Sequence, residues 1–230
     1  MSERGTELDA ADVRTLFQEL SDRLAQTGTH AQLFVVGGAA MALAYEPGRL
    51  TRDVDALFIP APEVRQAAEA IGAEHGLEPD WLQPVLGAAK GFLPGQDEHP
   101  ATVFESESLL VQVASPEYLL AMKLHASRDE RDLDDAATLF VRLGYTTAEK
   151  GIALLTDTYP VGLLLPRHRY IVQDVAERAA ALLVSHDTAP HVESRLLEAV
   201  EERRSKLSPP ESFGLGSGRP EGHQPPTLGG

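Results

Sequence analysis

The chain has 230 residues, and its 35 Asp and Glu outnumber its 20 Lys and Arg, giving a formal net charge of −15 at pH 7. It contains no cysteine, which excludes disulfides, thiolate zinc sites and thiol nucleophiles. The acidic balance disfavours the broad basic face that holds nucleic acid, and no apolar run approaches the roughly 20 residues that span a bilayer.

The first half of the chain alternates between helical and strand patterns. Asp9 is suited to cap a first helix, which Gly28 ends. The predicted helices of this half are residues 9–27, 39–45 and 60–75, and the predicted strands are residues 32–36, 53–59, 101–104 and 109–113. The stretch 77–100 is rich in Pro and Gly and is predicted to be loop with short elements.

The second half is predicted to be helical. Ser115, Pro116 and Glu117 form a helix start, with a capping hydroxyl, a proline in the first turn and an acid at the positive end of the helix dipole. The predicted helices are residues 115–127, 131–143, 147–156, 167–184 and 192–206. The sequence predicts an α+β fold: a small mixed sheet in a core of residues 1–145, a helical region at 146–206 and a disordered tail at 207–230.

Two chemical groups lie close together in residues 35–58. Gly37 and Gly38 follow the first strand, and such a corner lets backbone N–H groups approach a phosphate closely. Asp53 and Asp55 alternate at the start of the next strand, so both carboxylates point to one side. Either feature alone is commonly a tight turn or a solvated strand end. Two like charges at the start of a buried strand, however, repel each other and require a partner of opposite charge. A divalent cation that prefers hard oxygen ligands is such a partner.

In this order and spacing, the glycine pair and Asp53-Val54-Asp55 resemble the active-site signature of the DNA polymerase β-like nucleotidyltransferase superfamily. The stretch from Arg49 to Asp55 is similar to the AbiE-type abortive-infection nucleotidyltransferase toxins and their uncharacterised bacterial relatives. The block from Pro116 to Leu124, which contains Lys123, together with Ala126, Arg128, Arg131, Asp132 and Asp135, resembles the family's downstream Lys–Ala–Arg–Asp–Asp motif. The resemblance covers residues 30–143.

The resemblance implies a metal-dependent enzyme whose cofactor is Mg²⁺, with Mn²⁺ as the alternative, and whose substrate is a nucleoside triphosphate. The implied metal ligands are Asp53 and Asp55. The implied catalytic residues are Asp53, Asp55 and Lys123, and the implied nucleotide-binding residues are Gly37, Gly38, Arg52, Lys123, Asp132 and Asp135.

The residues themselves leave alternatives open. Lys123 lies on a largely apolar helix, where a lysine can also extend its ammonium group to the surface. Asp132 and Asp135 equally suit ordinary helix-surface acids paired with Arg128 and Arg131. Arg49 and Arg52, which flank the aspartate pair, suit either a phosphate or a pairing with Asp53 and Asp55.

One position departs from the superfamily pattern. Many members carry a third carboxylate, the general base, on a later strand, and the strand at 109–113 offers Gln112, which cannot ionise. The role then falls to another acid, such as Glu105, Glu107 or Asp132, or to a metal-bound hydroxide, or catalysis is weak.

The expected function is the transfer of a nucleoside monophosphate from the triphosphate to an acceptor hydroxyl on RNA or protein, in the cytoplasm and without a membrane partner. The resemblance suggests a toxin neutralised by an antitoxin protein. One alternative is a catalytically weak or inactive nucleotidyltransferase fold that binds a nucleotide or a protein partner. Another is a protein-interaction role built on the C-terminal helices.

Overall fold

The computed structural model describes residues 6–85, 93–127 and 129–185. The chain divides after residue 186, and every described residue precedes that division. The predicted helix at 192–206 and the predicted disordered tail lie outside the described residues, as does Arg128.

The protein has an α+β fold, and its described residues form a mixed five-stranded sheet with helices packed on it. The strands are β1 (Ala31–Val35), β2 (Val54–Ile59), β3 (Leu82–Pro84), β4 (Ala101–Glu105) and β5 (Leu109–Val113). The helices are α1 (Ala10–Gln26), α2 (Gly37–Ala40, continued by a π-helical turn at Met41–Tyr45), α3 (Ala61–His75), α4 (Pro116–Ala126), α5 (Glu130–Arg142), α6 (Ala148–Thr158) and α7 (167–185).

Helix α1 begins where the sequence predicts. The Asp9 side chain accepts hydrogen bonds from the backbone N–H groups of Ala11 and Asp12, and the Asp12 carboxylate accepts one from the Asp9 N–H. These backbone donors lower the pKa of Asp9, as expected for a carboxylate that satisfies a helix terminus. The apolar stripe of the helix is buried at Val13, Leu16, Phe17, Leu20 and Leu24.

The strand order is β3-β2-β1-β5-β4. Strand β1 runs antiparallel to β2 and parallel to β5, and β2 runs parallel to β3. The carboxyl end of β1 therefore lies at the same edge of the sheet as the amino end of β2. The topology thus brings the glycine corner after β1 and the aspartates before and within β2 to one edge.

The two faces of the sheet differ in burial. Side chains on one face are fully buried with α1 and α3, namely Leu33, Val35, Val54, Ala56, Val111 and Val113. The opposite face is only partly buried and carries Phe34, Asp55, Leu57, Leu110 and Gln112. Because successive residues of a strand point to opposite faces, the buried face fixes Asp55 on the more accessible one.

Strand β3 lies within the stretch that the sequence assigns to loop with short elements. It is a short edge strand beside β2, a position where Pro84 is tolerated because no ladder donor is needed. Trp81, just before it, is 1% exposed and donates its indole N–H to the Ala68 carbonyl at 2.8 Å. Gly72 makes room for this ring, since a Cβ there would lie 2.9 Å from the Trp81 Cδ1.

Helices α6 and α7 share the core of the preceding elements, with Leu155 and Val172 buried in the same apolar cluster as Phe140. The predicted domain boundaries at residues 145 and 206 stay a prediction. None of the helices in the described ranges is long and apolar enough to cross a membrane.

Candidate active site

The Asp55 carboxylate lies against the glycine corner. Gly37 has a φ of +66°, which favours glycine, and a Cβ there would lie 2.9 Å from the Asp55 Oδ2. The Val36 N–H also donates to the Asp55 carbonyl at 2.9 Å. The glycine corner therefore contacts Asp55, one member of the aspartate pair.

Thr51 links the second glycine to Asp53. A Cβ on Gly38 would lie 3.2 Å from the Thr51 Oγ1, and that hydroxyl donates to the Asp53 carbonyl at 2.9 Å. Thr51 is 5% exposed. Sequence reasoning missed its role, because a threonine two residues before an aspartate has no distinctive spacing.

Asp53 and Asp55 lie on one face and are both partly exposed. Gln83 of β3 is paired with Asp55 in the sheet register, and its Nε2 donates to the Oδ2 atoms of Asp53 and Asp80, at 3.3 Å each. Gln83 is thus a site residue that the sequence did not reveal, since its strand is short and contains a proline.

Gln112 lies on the same face of the sheet as Asp55 but farther from the aspartates than Gln83 does. It pairs with Phe34, which in turn pairs with Leu57, two residues beyond Asp55. Strand β1 therefore separates Gln112 from β2, a spacing of about 10 Å between the outer strands. The later strand directly beside β2 is β3, and its residue opposite Asp55 is also a glutamine, Gln83.

Glu105 and Glu107, two of the acids suggested as the general base, lie too far from the aspartate pair for that role. Glu105 pairs with Leu110, near the start of β5, whereas the glycine corner lies beyond the other end of that strand. Four residues of strand correspond to about 13 Å. Glu107, in the turn between β4 and β5, lies at the same distant edge. The suggestion that either residue acts as the base is therefore wrong.

Lys123 is held by two carboxylates. Its Nζ donates to the Asp132 Oδ1 at 2.7 Å and to the Asp135 Oδ2 at 2.6 Å, and all three residues are buried. Arg49 reaches the same cluster, with its Nη2 at 2.9 Å from both carboxylate oxygens of Asp135. Two cations thus balance two carboxylates, and a role for Lys123 at a nucleotide phosphate stays a prediction.

The two arginines flanking the aspartate pair have different partners. Arg49 turns to Asp135, whereas Arg52 is 58% exposed at its side chain and lies 3.6 Å from Glu7. An exposed pair of that length contributes little, about 0–1 kcal/mol. Arg52 can therefore leave Glu7 for a phosphate at small cost.

Two tyrosines near this edge stay protonated at neutral pH. Burial raises the pKa of Tyr45 and of Tyr118 to about 12. The Tyr118 ring packs edge-on against Phe34, with centroids 5.5 Å apart. Proton transfer is efficient only when the pKa of the group lies near the working pH. Neither phenol is therefore suited to act as an acid or base, and both contribute packing and donated hydrogen bonds.

The aspartate pair suits a hard divalent cation. Mg²⁺ is commonly bound by one or two carboxylates, with water and substrate phosphates completing its six positions. Within residues 6–85, 93–127 and 129–185, no group of three or more His, Cys, Asp or Glu side chains is arranged to hold a metal ion. The fit rests on two carboxylates on one face and on the close contact of Gly37 with the Asp55 carboxylate, which a side chain at residue 37 would displace.

We expect Gly37→Ala to weaken metal binding at least tenfold, because its Cβ would displace the Asp55 carboxylate. Left-handed backbone costs an alanine about 1–2 kcal/mol. Gly144→Ala is the matched control, since Gly144 has the same φ of +66° with no atom within 4 Å of its Cβ position. Calorimetric titration with Mn²⁺ measures the affinity. Equal weakening in both variants would show that backbone strain alone is responsible.

Comparisons with known proteins found one matching family and one similar solved structure. The family described as "Nucleotidyltransferase of unknown function (DUF6036)" matches residues 11–142, more than half of the chain. A solved structure, an antigenic nucleotidyltransferase-like protein from Paracoccidioides brasiliensis, is similar at 13% identity with a TM-score of 0.39, covering 66% of this chain and 89% of its own. No curated protein matches.

Proposed function

Because this chain belongs to that nucleotidyltransferase family, we propose that it transfers a nucleoside monophosphate from a nucleoside triphosphate to an acceptor hydroxyl, with Mg²⁺ bound by Asp53 and Asp55. The observation that carries the proposal is the Asp55 carboxylate lying against Gly37, with Asp53 on the same face.

In the proposed reaction, the acceptor hydroxyl gives up its proton to water, its oxygen bonds to the α-phosphorus, the bond from that phosphorus to the oxygen bridging it to the β-phosphorus breaks, and pyrophosphate leaves. When bound, the metal ion neutralises charge on the phosphate oxygens. Asp53 and Asp55 hold the ion at the sheet edge, and the side-chain-free corner at Gly37 and Gly38 lets the triphosphate approach the backbone. Arg52 supplies an exposed positive charge next to Asp53.

The proposal extends to the biological role of the protein, its acceptor and its location. A toxin of the AbiE type, acting on RNA or protein and neutralised by an antitoxin protein, is consistent with the motif from Arg49 to Asp55. The net charge of −15 favours an acceptor bound through local contacts over one bound along an extended phosphate backbone. A cytoplasmic location belongs to the same proposal.

A second candidate function is nucleotide binding without catalysis. It is favoured by Gln83 and Gln112, neither of which can ionise: the amide beside the aspartates belongs to Gln83 on β3, whereas β1 separates Gln112 from β2. The described geometry of the aspartate pair is the same for both candidates, so only a measurement of product separates them.

Thermal unfolding with each of the four nucleoside triphosphates, with and without Mg²⁺, tests the proposal. A ligand that binds only the folded state at 100 times its Kd stabilises it by about 2.7 kcal/mol. We expect stabilisation that requires both Mg²⁺ and a triphosphate, followed by pyrophosphate release with a suitable acceptor. Binding without pyrophosphate release from any acceptor would favour the second candidate, and no stabilisation by any triphosphate would contradict both.

A further inference from the structure

The segment at 49–53, which delivers the chain into β2, is held from two sides. On one side the backbones of Thr51 and Leu8 form an isolated antiparallel bridge, with N–H···O distances of 2.7 and 2.9 Å. On the other side, helix α5 binds two consecutive residues of the segment. Arg49 pairs with Asp135, and Arg131 donates to the Leu50 carbonyl at 2.6 Å.

The contact between α5 and this segment is strong because its acidic partner on α5, Asp135, is buried. Asp135 is 2% exposed and is fixed by Lys123 as well as by Arg49. The Arg49 side chain is 14% exposed, so solvent competes weakly for its charge, and charge-assisted hydrogen bonds of this kind are among the stronger ones. Arg49 is therefore committed to the protein and is poorly placed to bind phosphate.

The held segment ends at the aspartate pair. Thr51 donates to the Asp53 carbonyl and packs against Gly38, and the Val54 N–H donates to the Trp81 carbonyl at 2.6 Å. A shift of residues 49–51 would therefore move Asp53 relative to the glycine corner.

We propose that Arg49 is a positioning residue: through Asp135 it fixes the segment at 49–53 and thereby sets the place of the Asp53 carboxylate. This inference rests on the proposed function for its consequence, the binding of a divalent cation. Its structural content, the fixing of one segment by one ion pair, can be measured without any metal.

The test compares Arg49→Met and the milder Arg49→Lys with Arg178→Met. Arg178 is a matched control because it also binds carboxylates of α5, Glu130 and Asp134, but does not touch the segment. Amide hydrogen exchange is measured without metal, and Mn²⁺ affinity is measured by calorimetric titration.

We expect Arg49→Met to accelerate exchange at the Thr51 and Val54 amides at least tenfold more than at Val111 in β5, and to weaken Mn²⁺ binding about tenfold. Arg49→Lys should show the same pattern to a smaller degree, and Arg178→Met should show neither effect. Uniform acceleration across all three amides in both Arg49 variants would overturn the inference. Selective acceleration in a protein whose wild type binds no metal would support the positioning and refute the proposed function instead.

Discussion

Asp53→Ala and Asp55→Ala are each expected to reduce Mg²⁺-dependent pyrophosphate release about 1000-fold. A metal ion that neutralises developing charge lowers the barrier by several kcal/mol, and each 1.36 kcal/mol is a factor of ten in rate. Removing either carboxylate would leave only one of the two proposed metal ligands at the sheet edge. The rate of pyrophosphate release at saturating triphosphate, measured against Mg²⁺ concentration, gives the size of the loss.

The same variants should keep their fold. Both carboxylates are partly exposed, and removing one relieves the repulsion between like charges, so the melting temperature should stay unchanged or rise slightly. Asp80→Ala is the matched control, because Asp80 is an exposed acid that accepts from the same Gln83 amide as Asp53. Retained activity in both the Asp53 and Asp55 variants would end the proposed mechanism.

Lys123→Met is expected to lower the free energy of unfolding by about 3–5 kcal/mol, because it removes the cation that two buried carboxylates share and leaves one cation for both. Asp132 and Asp135 are 6% and 2% exposed, and Arg49 would remain as a partner for Asp135. Urea unfolding at neutral pH measures the change.

Two further variants separate charge balance from other effects. The double variant Lys123→Met with Asp132→Asn restores equal numbers of cations and carboxylates, so it should be more stable than Lys123→Met alone. Arg178→Met removes an ion pair network of exposed partners and should cost at most about 1 kcal/mol. If Lys123→Met kept full stability and lost only triphosphate binding, Lys123 would act on the nucleotide and not in the core.

Local patterns predicted most of the elements. Asp9 and Ser115 cap α1 and α4 as expected, because a cap depends on residues a few positions apart. The placement of Asp53 and Asp55 on one face also followed from local alternation. Local alternation does not by itself predict that these aspartates lie near Gly37. That expectation depends on the family resemblance.

Contacts between segments that are distant in the sequence could not be predicted from local patterns. The pairing of Arg49 with Asp135 and the hydrogen bonds from Gln83 join residues far apart in sequence, and no periodicity encodes them. Strand order is equally non-local: the sequence pattern points to Gln112 at the position of the third carboxylate, although the later strand that neighbours β2 is β3, with Gln83. The short length of β3 and its Pro84 made that strand hard to recognise.

The small number of carboxylates at the proposed metal site has a thermodynamic consequence. Asp53 and Asp55 can neutralise one divalent ion but fill few of its six positions, so water or phosphate oxygens must supply the others. In the proposed site the nucleotide would then contribute part of the coordination sphere, and each ligand would strengthen the binding of the other by the same factor. A dissociation constant for Mg²⁺ or for the triphosphate has meaning only at a stated concentration of its companion.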